Sequence, residues 1–304
     1  MDRRSFFKFG RTGLLPQTEW DNFCHRIQRT VKGQFRDITC PMQDYGVAEI
    51  YLENSSDIQH IFALCQVYHV TMALAGFIDP AGMYTRPILI VHYACTMNKI
   101  EWLSDDICLV QPSVTAGDML ALGFQQFTRV PTSLYIAQWF SNPLYHDCRP
   151  FHSFLSGVER IQALFSDGSQ AVLGGFGVQD QSALSVPILN RCIPKLFELL
   201  QDKEVASFLD KTYWPYEYRL DALEKHFVDI NLARVFQGQK ARLLWVQAWV
   251  IRKIPEDVLY LPSDIQLAQV PEKLAQIQFQ MKNLFDMDGI FLYDDEVTIM
   301  EENI

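Results

Sequence analysis

The chain has 304 residues, of which 49% are apolar and 13% aromatic, and it carries a formal net charge of −10 at neutral pH. A chain of that length and apolar content can bury a core sized for one large domain or two coupled ones, which excludes disorder. Its acidic balance repels phosphate backbones and anionic lipid heads, which excludes nucleic acid as a partner.

At the start, Arg3-Arg4-Ser5-Phe6-Phe7-Lys8 resembles the core of a twin-arginine export signal. Arg11, Pro16, Glu19, Asp21, His25 and Arg26 then interrupt any hydrophobic region, so residues 1–45 read as an N-terminal extension of a cytoplasmic protein. A peripheral place at the inner membrane is compatible with this basic, aromatic start, but the longest apolar runs fall short of the roughly 18 residues of a transmembrane helix. The seven cysteines, at 24, 40, 65, 95, 108, 148 and 192, form no CxxC pair and no metal-ligand spacing. They read as buried small hydrophobes in a reducing compartment.

Residues 47–53 alternate as a strand should, and Asn54-Ser55-Ser56-Asp57 offers N-cap candidates for the helix that follows. Ile58, Ile61, Phe62 and Cys65 give that helix one apolar face up to His69. Val70–Leu74 reads as a buried strand with a turn at Ala75-Gly76; apolar strands at 88–91 and 107–111 come next. Val114–Asp118 leads into a short helix over 119–122, and residues 128–152, with three prolines, read as a long surface loop. Residues 157–165 and 170–173 form a hairpin around Ser166-Asp167-Gly168-Ser169. Helices are expected from Pro194 to Leu209 and over 271–284, with a strand at 243–251 between them.

Four stretches are similar to one known family: Ser55-Ser56-Asp57-Ile58 at the start of the first helix, Val114–Leu120, the hairpin 158–173, and Lys282–Phe291 near the C-terminus. Leu244–Trp249 adds a tryptophan-containing strand. In this order they resemble the FAD-binding subunit of bacterial glycolate oxidase, in the vanillyl-alcohol-oxidase and p-cresol-methylhydroxylase type of FAD-binding superfamily. The resemblance implies an α+β fold, with a two-part FAD-binding domain over 46–212 followed by a short C-terminal α+β segment over 213–304. It also implies FAD as cofactor, a 2-hydroxy acid as substrate, and a complex whose other members are a flavoprotein and an iron–sulfur protein.

By the same resemblance Gly76, Gly82, Gly174 and Gly175 would contact the cofactor, with Gly117 supporting a turn. No catalytic residue of the family carries over. The loops themselves depart from the family pattern. Ala75–Gly82 gains Asp79, whose charge opposes a phosphate, and Pro80, which has no amide to donate. Thr132–Trp139 contains no glycine, and Gln179, Asp180 and Ser185 stand where the family has lysine, asparagine and aspartate. Two expectations follow: an FAD-linked oxidoreductase subunit, or a flavin-free, non-catalytic partner that keeps the fold.

Other constellations are plainer. His146-Asp147-Cys148 groups three reactive side chains, but sequence neighbours seldom face one another productively, so an ordinary loop is expected. His60, His69, His92 and His152 stand alone, and GxxxxGK[ST], HExxH and GxSxG do not occur. Trp245, Trp249, Tyr213, Trp214, Tyr216 and Tyr218 are read as core residues, with stacking on a planar ligand as the alternative.

Overall fold

A computed structural model describes residues 18–177, 184, 186–215, 217–225, 228–259 and 272–293, so the twin-arginine-like start lies outside the described residues. Helix α1 (Glu19–Thr30) begins at Thr18, whose hydroxyl accepts from the Asp21 amide while the Asp21 carboxylate accepts from the Thr18 amide. This reciprocal cap satisfies two amides that a helix start leaves open. The helix buries Phe23 and Ile27, and strand β1 (Gln34–Asp37) follows it.

β2 (Val47–Leu52), β3 (Thr71–Leu74) and β4 (Ile88–Tyr93) are parallel to one another, and β1 adds antiparallel to β2, giving the order β1-β2-β4-β3. The crossover from β2 to β3 is helix α2 (Ser56–Tyr68). Its start is held by Asn54, whose side-chain oxygen accepts from the Asp57 amide at 3.2 Å. His69 ends it in the left-handed region at φ 53°.

The second sheet is antiparallel throughout, in the order β5 (Ile100–Trp102), β6 (Ile107–Val110), β9 (Trp245–Arg252), β7 (Val158–Leu164), β8 (Gln170–Leu173). β9, which comes from after residue 212, is therefore its middle strand, just as β1, from before residue 46, completes the first sheet. Along β9 the residues Trp245, Trp249 and Ile251 are buried, and Trp249 pairs with Val110 on one side and Ile161 on the other. One apolar core joins the sheets, with Tyr93 of β4 donating from its hydroxyl to the Val246 carbonyl of β9 at 3.2 Å. The fold is α+β, as the sequence predicts.

Several local expectations change. Residues 128–152 are not loop throughout: α4 (Ile136–Ser141) buries Ile136, Ala137, Trp139 and Phe140. Two of its first amides donate outward, Ile136 to Val114 O and Ala137 to Pro112 O, so tertiary contacts replace the missing local signal. The helix expected at 194–209 starts earlier and breaks: α5 spans Pro187–Leu200, and Asp202 caps a short α6 (Lys203–Ser207) by accepting from the Glu204 amide at 2.9 Å. Proline suits the first turn of a helix, and here that proline is Pro187 while Pro194 sits inside. Between β6 and β7, α3 (Ala116–Ala121) has its own capping box from Thr115 and Asp118. α7 spans Leu232–Val235.

Near the C-terminus α8 (Glu272–Phe285) runs into a segment that bonds to the outer edge of β3. The Met72 amide donates to Ile290 O at 2.6 Å, and the Leu292 amide donates to Met72 O at 2.9 Å. The turn between them is pinned by Asp286, 2% exposed, which accepts from the amides of Ile290 at 2.9 Å and Phe291 at 2.8 Å and from Lys282 Nζ. Among the described residues no helix is long and apolar enough to cross a membrane.

Candidate functional site

Because β2, β4 and β3 run parallel, their carboxyl ends meet along one rim, the place where open α/β sheets usually receive ligands. A groove of about 510 Å³ lies there, lined by Tyr51, Glu53, Ala75, His92, Tyr135 and Gln138 among others. Tyr51 and His92 face each other in the β2–β4 register, and their rings stack at 4.3 Å with 12° between planes. His92 Nε2 stands 3.4 Å from Glu49 Oε1 without hydrogen-bond geometry. No lysine or arginine is found among the described residues that line the groove.

Three amides of the loop after β3 are bonded within it. The Phe77 amide donates to Leu74 O at 3.2 Å, the Ala81 amide to Asp79 Oδ1 at 3.0 Å, and the Gly82 amide to Asp79 O at 3.0 Å. Tyr84 packs against Gly82, where a Cβ would stand 2.5 Å from its phenolic oxygen, and its hydroxyl donates to Asp79 O. Burial, with Asp79 adding to it, pushes that hydroxyl's pKa up to about 12. From the other side Gln43 Nε2 donates to Gly82 O at 2.7 Å and to Pro80 O at 3.2 Å.

Gln138, on α4, comes from the stretch in which the family would place its second glycine loop. Its Nε2 donates to Ala75 O at 3.1 Å and lies 2.9 Å from the point a Cβ on Gly76 would occupy, at a φ of 95°. Ala75 and Gln138 line the groove, whereas Gly76 and Phe77 line a second cavity of about 390 Å³. The contact of Gln138 with the Ala75–Gly76 backbone thus stands between two spaces.

The five glycines singled out from the sequence are not gathered around either cavity, and of them only Gly76 lines one. Gly82 lies under Tyr84. Gly117 is in the first turn of α3, donating to Thr132 O at 2.9 Å, where a Cβ would stand 2.9 Å from that same oxygen. It supports a close crossing of two backbones. Gly174 follows β8, and its carbonyl accepts from the Leu232 amide at 2.8 Å; Gly175 bridges to Asn231 with open space where a Cβ would be. Residues 178–183 and 185, with Gln179, Asp180 and Ser185, lie outside the described residues.

A flavin dinucleotide would need inward-facing amides or cations for its pyrophosphate. Here the amides of Phe77, Ala81 and Gly82 are committed within their own loop, Gln138 covers Gly76, and the groove's charged lining residue is Glu53. These residues do not fit the pyrophosphate.

Of the remaining sequence candidates, Tyr216 lies outside the described residues. Trp245 and Trp249 are each 1% exposed in the core. Desolvation first, and Asp147 after it, raise the pKa of the Cys148 thiol, and Asp147 is occupied by Arg149 at 2.6 Å, so no activated nucleophile forms. Burial also raises the thiols of Cys65, Cys108 and Cys192. Among the described residues no cluster of His, Cys, Asp or Glu could hold a metal. Sequence reading missed Tyr51 and His92 as site residues, although the period of two in β2 puts Tyr51 opposite in facing to Ile50. It also missed Gln138, for which no local signal exists.

No family model matches the chain, and no curated protein matches it significantly. Among solved structures, it is similar to alkyldihydroxyacetonephosphate synthase in two crystal forms. One is 9% identical with a TM-score of 0.43, covering 79% of this chain and 41% of that one. The other is 11% identical with a TM-score of 0.43, covering 84% and 48%. It is also similar to p-cresol methylhydroxylase with substrate bound, at 12% identity and a TM-score of 0.35, covering 69% and 36%. The chain spans less than half the length of each of these proteins.

Proposed function

We propose that this chain is a non-catalytic partner subunit that keeps a two-sheet scaffold of the flavoprotein type without gripping FAD by its pyrophosphate. One observation carries the reading: Gln138 seats its amide on Ala75 O and over Gly76, where a bound diphosphate would need open backbone. The commitment of the Phe77, Ala81 and Gly82 amides within their own loop and the absence of a lysine or arginine from the described groove lining support it. By the sequence resemblance, the partners would be a flavoprotein and an iron–sulfur protein, with the chain docking to or stabilising the active subunit.

A second reading is favoured by the aromatic lining of the groove, where Tyr51, His92 and Tyr135 offer ring faces suited to an isoalloxazine. On that reading the chain is an FAD-linked oxidoreductase subunit that oxidises a 2-hydroxy acid within a complex. When bound, FAD would supply hydride acceptance; Tyr51 and Tyr135 would hold its ring system.

The visible spectrum of the purified full-length chain separates the two. A colourless protein whose spectrum and stability ignore added FAD supports the first reading. A yellow protein with near-stoichiometric flavin overturns it and supports the second. Co-purification from the native host, read by mass spectrometry, tests the partner assignment: recovery of the chain without a flavoprotein would overturn it.

A further inference from the structure

In the first sheet the segment around Phe291 covers the outer edge of β3, bonding to both the amide and the carbonyl of Met72. In the second sheet β5 is an outer strand, with no neighbour on its far side among the described residues.

Which backbone groups β5 offers follows from its ladder with β6. The Gln111 amide donates to Lys99 O at 3.1 Å and the Leu103 amide to Ile107 O at 2.9 Å, so both of these β5-side residues bond inward. Bonded and non-bonded pairs alternate along an antiparallel ladder, so Glu101 also bonds inward, while Ile100 and Trp102 aim their amides and carbonyls outward. No described residue takes up those outward groups. Such a row is a template for one more strand.

The side chains decide which strand fits. Lys99 and Glu101 are both exposed, carry opposite charges and, being two residues apart, share one face. Edge charges of one sign would repel a second copy, whereas opposite charges placed directly across a ladder attract. Only outward-facing residues can bond across a new pair, so the register moves in steps of two. With Ile100 opposite the partner's Ile100, each Lys99 stands opposite the partner's Glu101. The neighbouring register on one side sets Glu101 against the partner's Glu101, and the one on the other side sets Lys99 against the partner's Lys99. Trp102, 44% exposed, and Leu103, 54% exposed, flank this edge as apolar surface that a second copy would cover.

We infer that β5 pairs with β5 of a second copy of this chain, antiparallel and centred on Ile100, joining two five-stranded sheets into one of ten strands. The contact is smaller than a standard protein interface, so the dimer forms at micromolar concentration or above. No residue of this edge lines the groove, and the pairing is independent of whether flavin is held there.

The test is sedimentation of the full chain over a series reaching hundreds of micromolar, together with hydrogen exchange at single amides. A monomer–dimer equilibrium is expected, with the Ile100 and Trp102 amides protected as the dimer forms. Glu101→Lys and Lys99→Glu each set like charges against one another twice per dimer, and each should raise the dissociation constant about tenfold. Both side chains are exposed, so the variants keep the fold. The double variant Lys99→Glu/Glu101→Lys restores opposite charges and should return to the unsubstituted value. The two single variants, mixed, should form a heterodimer tighter than either forms alone. A chain that stays monomeric throughout overturns the assignment, as does a dimer indifferent to the single reversals or a double variant as weak as the single ones. Protection of Ile100 and Trp102 that needs a different protein from the host, rather than more of this chain, overturns it too.

Discussion

Replacing Asp286 by alanine tests how the C-terminal segment is held. The carboxylate is fully buried beside the Lys282 ammonium, whose side chain is 7% exposed and which also donates to Arg242 O at 3.1 Å and to Phe291 O. Asp286→Ala removes the counter-charge from a buried cation and the acceptor from the amides of Ile290 and Phe291. Breaking a buried pair on one side costs roughly 3–5 kcal/mol, a large share of the roughly 5–15 kcal/mol that holds a domain together. The loss should show as a lower urea midpoint at unchanged slope and as faster hydrogen exchange at the Met72 amide, which donates to Ile290 O. Lys282→Met combined with Asp286→Leu removes both charges and should recover most of that loss. A cost under about 1 kcal/mol for Asp286→Ala, with Met72 still protected, would refute the reasoning.

Gly117→Ala should cost about 1–3 kcal/mol, because its Cβ would stand 2.9 Å from the Thr132 carbonyl oxygen and the two backbones must part; thermal melting reads it. Arg219→Met leaves the fully buried Asp221 carboxylate, which also accepts from the Phe151 amide at 2.7 Å, without its cation, and should lower stability by about 3–5 kcal/mol in urea unfolding. The depressed pKa of His146 sets a pH dependence. The folded ring stays neutral down to about 4 while the unfolded one protonates near 6.5, so stability is intact above 6.5 and falls as pH drops toward 4. Its ceiling is about 3 kcal/mol, and urea midpoints measured between pH 7 and pH 4.5 should fall less in His146→Gln than in the unsubstituted chain.

Where local chemistry decides the backbone, the sequence was readable. Alternation placed β2, the hairpin turn at 166–169 placed β7 and β8, and the apolar face ending at His69 placed α2. Elements whose bonds run to distant residues were not. The first turn of α4 is satisfied by Pro112 O and Val114 O, and β5 is a three-residue edge whose register comes from β6. Pro194 misled because a proline is more often read as a helix start than as an interior residue. At the site the same division holds. Asp79 and Pro80 marked the loop as a departure from the family pattern, but nothing near Gln138 in sequence announces its bond to Ala75 O, across 63 positions.

The place of β9 in the second sheet has a consequence for synthesis. The β5–β6 and β7–β8 hairpins are both complete by residue 173, yet the strand that joins them ends only at Arg252. During translation, at about 5–20 residues per second, the inner edges of β6 and β7 stand open for several seconds, each a row of unpaired amides and carbonyls that can pair with another chain. Val110 and Ile161, which flank Trp249 in the finished sheet, lie on those two edges. The nascent chain is thus most prone to aggregation after its β structure has mostly formed, and a ribosome stalled between residues 173 and 245 would hold it in that state.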